Sequence, residues 1–296
     1  MFILIFTLMS FCAQALMLPP GFVVRQFGHT RDKLATARIE QKVSYKEDTN
    51  FSETVLFKAP NKYKIVISSN NGNVTFVRNG DKCLAVSAQK RIELLCQPLK
   101  TLFYHNVLLT SNDGFIDFLK QLKINPREGI VSIKQSEEDS SYVKPEGIVL
   151  VNYNSKPMYI VGISDGLYRD AVNASSGKPS ISTALVDEIK YKAPQMWVDK
   201  GTFCPLRIFG QRGSDDLDVS LGSYITDGNE VPFPKAISLL LKGNKELSAT
   251  VSMFESGVEI KDDTFAMDAL KKLPSIKQEQ LEGNVAKIVE YLGEYR

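Results

Sequence analysis

The sequence predicts a mainly β protein with a few helices (α+β), built on one large antiparallel sheet that is either a barrel or a curved open sheet. Three observations carry this. Tyr63, Ile65 and Ile67 alternate with Lys62 and Lys64, which gives a strand one dry and one wet face. Turn clusters such as Asn70-Asn71-Gly72-Asn73, Asn79-Gly80-Asp81 and Thr226-Asp227-Gly228-Asn229 punctuate the chain at strand-length intervals. Finally, the period rises to about 3.6 residues in only a few short stretches.

Residues 1–15 form an uncharged run of Phe, Ile, Leu and Met ending in Ala13-Gln14-Ala15. That is the pattern of a secretory signal peptide with a small-x-small cleavage site, and the run is shorter than the ~20 residues of a membrane span. The alternative is an N-terminal anchor that stays attached. Bulky Phe11 argues against lipid attachment at Cys12. The expectation is an exported chain starting near Leu16.

A short helix over residues 19–28 has Phe22, Val23 and Phe27 as its apolar side. Residues 31–46 suit either helix or strand, and the turn at Thr49-Asn50 favours a strand over 37–46 followed by another over 54–58. A meander continues through strands at 62–67, 74–78, 82–87 and 91–97.

With a hairpin centred on Gln89-Lys90, Ser87 faces Ile92, Ala85 faces Leu94 and Cys83 faces Cys96. Directly opposed strand positions lie within reach of a disulfide, so Cys83 and Cys96 are either bridged or two reduced core cysteines. Cys204, beside Pro205, reads as a small buried hydrophobe.

Two short helices follow, at 102–109 and 115–122, the second capped by Asn112 or Asp113 and carrying Phe115, Phe118 and Leu122. Helices set between runs of strands cross one face of the sheet, where these could act as a lid. Strands resume at 129–135, 147–153 and 157–163, and after a loop at 167–179 continue at 183–191, 195–199, 205–210, 217–225 and 249–254. Val231-Pro232-Phe233-Pro234 reads as an extended edge. Ser275 to Gln278 looks like a capping box opening a last helix, with Leu281, Val285, Ile288 and Leu292 on one face and Gly283 as its weak point.

The chain has 36 basic and 34 acidic residues, a net charge of +2, so charge gives no argument for a nucleic-acid partner. The histidines, His29 and His105, stand in no metal-ligand spacing and beside no motif serine. Gly210-Gln211-Arg212-Gly213 lacks the context of a phosphate loop. No metal, no cofactor and no catalysis are expected.

The order of the motifs resembles the periplasmic lipoprotein carriers of the LolA and LolB type. The resemblance rests on Phe57-Lys58-Ala59-Pro60-Asn61-Lys62-Tyr63-Lys64-Ile65, then Arg78-Asn79-Gly80-Asp81-Lys82, then the stretch from Trp197-Val198-Asp199 to Pro205-Leu206-Arg207, then Phe233-Pro234 and Asp262-Asp263-Thr264-Phe265. It implies an incomplete barrel over residues 16–272, closed by short helices around a cavity for acyl chains, with residues 273–296 as a C-terminal helical extension. It implies a periplasmic carrier that takes a lipoprotein or another lipid toward the outer membrane, with an inner- or outer-membrane protein as possible partner; the alternative is a lipid- or peptide-sensing module that regulates a protein partner. Phe57, Tyr63, Ile65, Ile67, Phe76 and Trp197 would line the cavity. Arg207 would hold a lid or cargo carbonyl, or else be a surface strand arginine. The stretch 130–182 and the last helix exceed the carrier pattern.

Overall fold

The computed structural model describes residues 18–46, 48–70, 72–98, 102–124, 147–153, 155–162 and 193–296. The expected signal peptide and the segments expected at 129–135, 167–179 and 183–191 lie outside the described residues.

Among the described residues fourteen strands form one curved, unclosed sheet. A first meander runs through β1 (Thr36–Tyr45), β2 (Thr49–Lys58), β3 (Lys62–Ser69), β4 (Gly72–Asn79), β5 (Lys82–Ser87) and β6 (Lys90–Ile92). A second runs through β7 (Ile148–Tyr153), β8 (Lys156–Val161), β9 (Gln195–Asp199), β10 (Pro205–Arg212), β11 (Asp215–Thr226), β12 (Pro232–Leu241) and β13 (Asn244–Ser256). Antiparallel pairing of β1 with β13 joins the two halves. The short β14 (Ser275–Ile276) extends the edge parallel to β6, and β7 forms the other edge.

Strict alternation of buried and solvent-facing positions along β1 and β2 is what period-two patterning produces when one face is covered. The cover consists of α1 (Pro20–Asp32), a π-helical turn (Tyr104–Leu109), α2 (Asn112–Gln121) and α4 (Gly283–Tyr295). The face they cover is the inner face of the sheet. The short helix α3 (Asp268–Lys271) and a 3-10 turn at Asp262–Phe265 precede β14, and Phe265 and Met267 pack with Val77 and Leu84 of β4 and β5 in a small separate cluster. No helix of the described residues is long and apolar enough to cross a membrane.

The structure corrects several local expectations. Pro20 sits in the first turn of α1, where its missing N–H costs nothing, and the helix runs on to Asp32. β2 begins at Thr49, not at residue 54. The segment expected as a helix over 102–109 is a single π-helical turn with every residue buried. Ser111, not Asn112 or Asp113, is the N-cap of α2, and its side chain makes no cap bond. Ser275 and Ile276 form a strand instead of opening a helix. The Gln280 side chain caps the Lys277 backbone N–H at 3.1 Å around a 3-10 turn, and the last helix opens at Gly283, whose φ of +60° suits glycine.

The β5–β6 hairpin turns on Ala88 and Gln89, at φ 47° and 60°, the pair of left-handed residues a two-residue type I′ turn needs. Ala85 therefore faces Ile92 and Ser87 faces Lys90, two residues away from the expected register. A two-residue slip keeps every side chain on its own face. β6 ends at Ile92, and the freed chain brings Cys96 to Cys83, which are disulfide-bonded with Cα atoms 5.8 Å apart.

Candidate functional site

The inner face of the first meander carries a continuous apolar row. Ile39 of β1 faces Val55, Val55 faces Ile65, Ile65 faces Phe76 and Phe76 faces Ala85. Beside it Phe57 faces Tyr63, with ring centres 5.2 Å apart. Phe57, Tyr63, Ile65, Ile67 and Phe76, the first five expected lining residues, are all buried and belong to one core cluster.

That cluster continues into the cover. Phe115, Phe118 and Leu122, the expected lid residues, are buried in it. Phe115 meets Phe27 of α1 edge to face at 5.3 Å, and Phe118 lies 6.4 Å from Phe103. The end of α2 is seated on the backbone of β10. A Cβ added at Gly210 would stand 2.7 Å from Leu122 Cβ and 2.8 Å from its carbonyl oxygen, so only glycine allows this approach. Over the other half lies α4, whose Tyr291 ring centre is 5.1 Å from that of Phe51 and 5.6 Å from that of Tyr45.

Within the first meander, beneath α4, the inner face carries a polar cluster. Glu53 on β2 occupies a position that alternation makes dry, and it is 1% exposed. Its carboxylate accepts hydrogen bonds from Gln41 Nε2 at 2.5 Å, from the Tyr291 hydroxyl at 3.0 Å and from Arg296 Nη2 at 2.8 Å. The Arg296 guanidinium lies 3.3 Å from the centre of the Tyr104 ring, and the Tyr104 hydroxyl donates to Gln41 Oε1 at 2.8 Å. Burial works against the charge on Arg296, but Glu53, with Tyr291 and Tyr104 beside it, outweighs that and holds its pKa above the ordinary value. Burial pushes the Tyr104 phenol up to about 12.

Arg78, opposite Tyr63 in the register, donates to the carbonyl oxygens of Gln97 at 2.7 Å and Gly80 at 3.1 Å. The Tyr63 hydroxyl is hydrogen-bonded to Nδ1 of His105 in the π-helical turn. Burial, with the nearby Arg78 charge, lowers the His105 pKa to about 4. The ring is therefore neutral at pH 7.

Trp197 and Arg207 stand elsewhere. Trp197 alternates with Met196 and Val198, which belong to the inner cluster, so its indole lies on the outer face, opposite Ile160 and Arg207. There its Nε1 donates to Gln195 Oε1 at 2.8 Å. Arg207 is 5% exposed and forks onto Asp218 with bonds of 2.7 and 2.6 Å. Phe57, Tyr63, Ile65, Ile67 and Phe76 on the first meander and the lid residues, seated over β10, share one core cluster, whereas Trp197 and Arg207 stand on the other side of the sheet.

Sequence reasoning missed Glu53, Gln41, Tyr291 and Arg296. The signal for the first two was present: in the register of β1 and β2 both fall on the apolar face, and a charged residue there demands a partner.

No family model matches the chain, and no curated protein is similar to it by sequence. Solved structures similar to it include members of the group its motifs resemble. One is described as an outer membrane lipoprotein-sorting protein domain from Vibrio parahaemolyticus, 11% identical, covering 85% of this chain and 98% of that chain at a TM-score of 0.43. A DUF1329 family protein from Desulfovibrio piger is 12% identical, over 85% of this chain and 97% of that chain, at 0.43. A LolA superfamily protein from Nitrosomonas europaea is 11% identical, over 86% and 100%, at 0.40. At such low similarity these are likenesses alone, and the inner face has to be read from its own residues.

Proposed function

We propose that the protein is a carrier of acyl chains, lodging a lipoprotein or another lipid between the inner face of the sheet and its helical cover. One observation carries this reading: an apolar row crosses successive strands beneath short helical pieces that meet it mainly through side chains, by packing and by bonds such as Tyr63–His105 and Glu53–Arg296. Helices held in this way can lift while the sheet keeps its hydrogen bonds. Burial of acyl chain is worth about 0.8 kcal/mol per methylene, so a long chain offers enough to displace the residues that fill this face. The Cys83–Cys96 bridge fits an oxidising compartment such as the periplasm, and movement of cargo toward the outer membrane is part of the same proposal. The reading is non-catalytic, with His105 committed to Tyr63 in the core.

A second reading is favoured by α4. Its tail is tied to the sheet through Glu53 and Arg296, so cargo that displaced it would release a helix to a protein partner, and the module would sense lipid instead of carrying it.

The test is native mass spectrometry with lipid extraction on protein purified from an exporting host without delipidating detergent, followed by titration with oleate and oleyl alcohol. A bound mass that extracts as lipid or acylated peptide, or stoichiometric uptake on titration, is the expected result. A clean unliganded mass with no uptake of either amphiphile would overturn the reading.

A further inference from the structure

Four residues after Phe27, on the buried face of α1, stands Arg31. It is 2% exposed, and its guanidinium carbon lies 4.1 Å from the centre of the Phe27 ring. None of its three nitrogens, Nε, Nη1 and Nη2, has a hydrogen-bond partner among the described residues. Every other buried arginine among them holds an acceptor: Arg78 has the Gln97 carbonyl, Arg207 has Asp218 and Arg296 has Glu53.

The polar groups whose charge would bear on Arg31 do not fill that role. The Tyr224 hydroxyl already donates to the Pro205 carbonyl at 2.6 Å, the Cys204 thiol points to the Thr202 carbonyl at 3.7 Å, and burial keeps both neutral by raising their pKa values. Burial also lowers the Arg31 pKa to about 10, which leaves it charged at pH 7. A buried cation with no acceptor is among the costliest arrangements a protein can hold.

Arg31 also lines a cavity of about 320 Å³, together with Asn61, His105, Leu109, Thr110 and Ser111. The one carboxylate on its wall, Asp32, is engaged by His29 Nδ1 at 3.4 Å and by the Asn112 backbone N–H at 3.2 Å. Leu109 belongs to the inner core cluster, and Thr110 and Ser111 lead into α2. The cavity therefore adjoins the edge of the cover, and the Arg31 nitrogens lie beside it, shut off from solvent.

We propose that Arg31 anchors the anionic headgroup of an amphiphile, a carboxylate or phosphate that enters this cavity, draws the guanidinium toward it and supplies the acceptors the guanidinium lacks. The inference rests on the carrier reading and narrows its cargo to anionic lipids, the acyl chain passing beneath α2.

The experiment titrates the full chain with oleate, oleyl alcohol and inorganic phosphate, using the parent protein, Arg31→Met and Arg31→Gln. The parent is expected to prefer oleate over oleyl alcohol by about tenfold or more, the scale of one charge-assisted pairing. Arg31→Met is expected to bind both alike, and to melt at higher temperature than the parent when no amphiphile is added, because an unpaired buried charge is gone. Equal binding of oleate and alcohol by the parent, which needs no variant, would overturn the inference and leave the carrier reading standing. So would a preference that survives Arg31→Gln, or a lower melting temperature in both variants. Binding of neither amphiphile would remove the carrier reading itself. Phosphate bound in an Arg31-dependent way without competition from oleate would overturn the lipid source of the anion.

Discussion

The Tyr63 hydroxyl on β3 meets Nδ1 of His105 in the π-helical turn, and the bond ties the cover to the sheet from inside the core. Both residues are buried. The pair sits beside Arg78, so a second positive charge there would be opposed by burial and by repulsion alike.

Acid should therefore loosen the protein through this residue. The folded His105 pKa is about 4 against an ordinary value of 6.5. Between those values the unfolded chain binds a proton that the folded one does not, so stability falls as pH falls through this window and is recovered above about 6.5. The full effect is on the order of 3 kcal/mol. Urea unfolding at pH 7.5, 5.5 and 4.5 should show this loss in the parent and a smaller one in His105→Gln. Equal slopes in the two proteins would count against the assignment.

Removing one partner of the Glu53–Arg296 pair leaves a buried charge uncompensated. Glu53→Gln is expected to cost about 3–5 kcal/mol in urea unfolding, whereas the double variant Glu53→Leu, Arg296→Met should recover most of it. A double variant as unstable as the single one would mean that the pair holds α4 by more than charge balance.

A side chain at Gly210 strikes the Leu122 backbone. Gly210→Ala should destabilise the protein by about 1–3 kcal/mol and raise amide exchange selectively in α2, with α4 unchanged. Unaltered exchange in α2 would show that its seat on β10 is not what holds it.

Cys83 and Cys96 close a loop of sequence separation 13. Changing both to Ser is expected to lose about 2–4 kcal/mol, the usual range for such a loop. Thermal melts of the reduced parent should match those of the double variant.

How much of this was legible in the sequence follows from what each feature depends on. The strand order of the first meander was readable because each strand announces its own face and turn, as at Tyr63 to Ile67 and Asn79-Gly80. The β5–β6 register was misplaced by two residues because a hairpin's register is set by which residues take the left-handed turn, and Ala88 and Gln89 are not the usual ones. Residues 102–109 showed helical spacing, but the i to i+5 turn they make depends on packing against the sheet. Tyr63, Ile65 and Ile67 were placed on the inner face by alternation, whereas Phe57, Phe76 and Trp197 were added without it, and of these Trp197 stands on the outer face. Arg31 was not legible as a site, since its burial arises only once α1 docks.

The most direct test of the carrier claim is photolabelling of the intact protein with a diazirine-bearing long-chain fatty acid, followed by peptide mapping. Labelling of β2 to β4 around Phe57, Tyr63, Ile65 and Phe76, suppressed by excess unlabelled oleate, is the predicted result. Label confined to the outer face around Trp197, or no specific label, would contradict it.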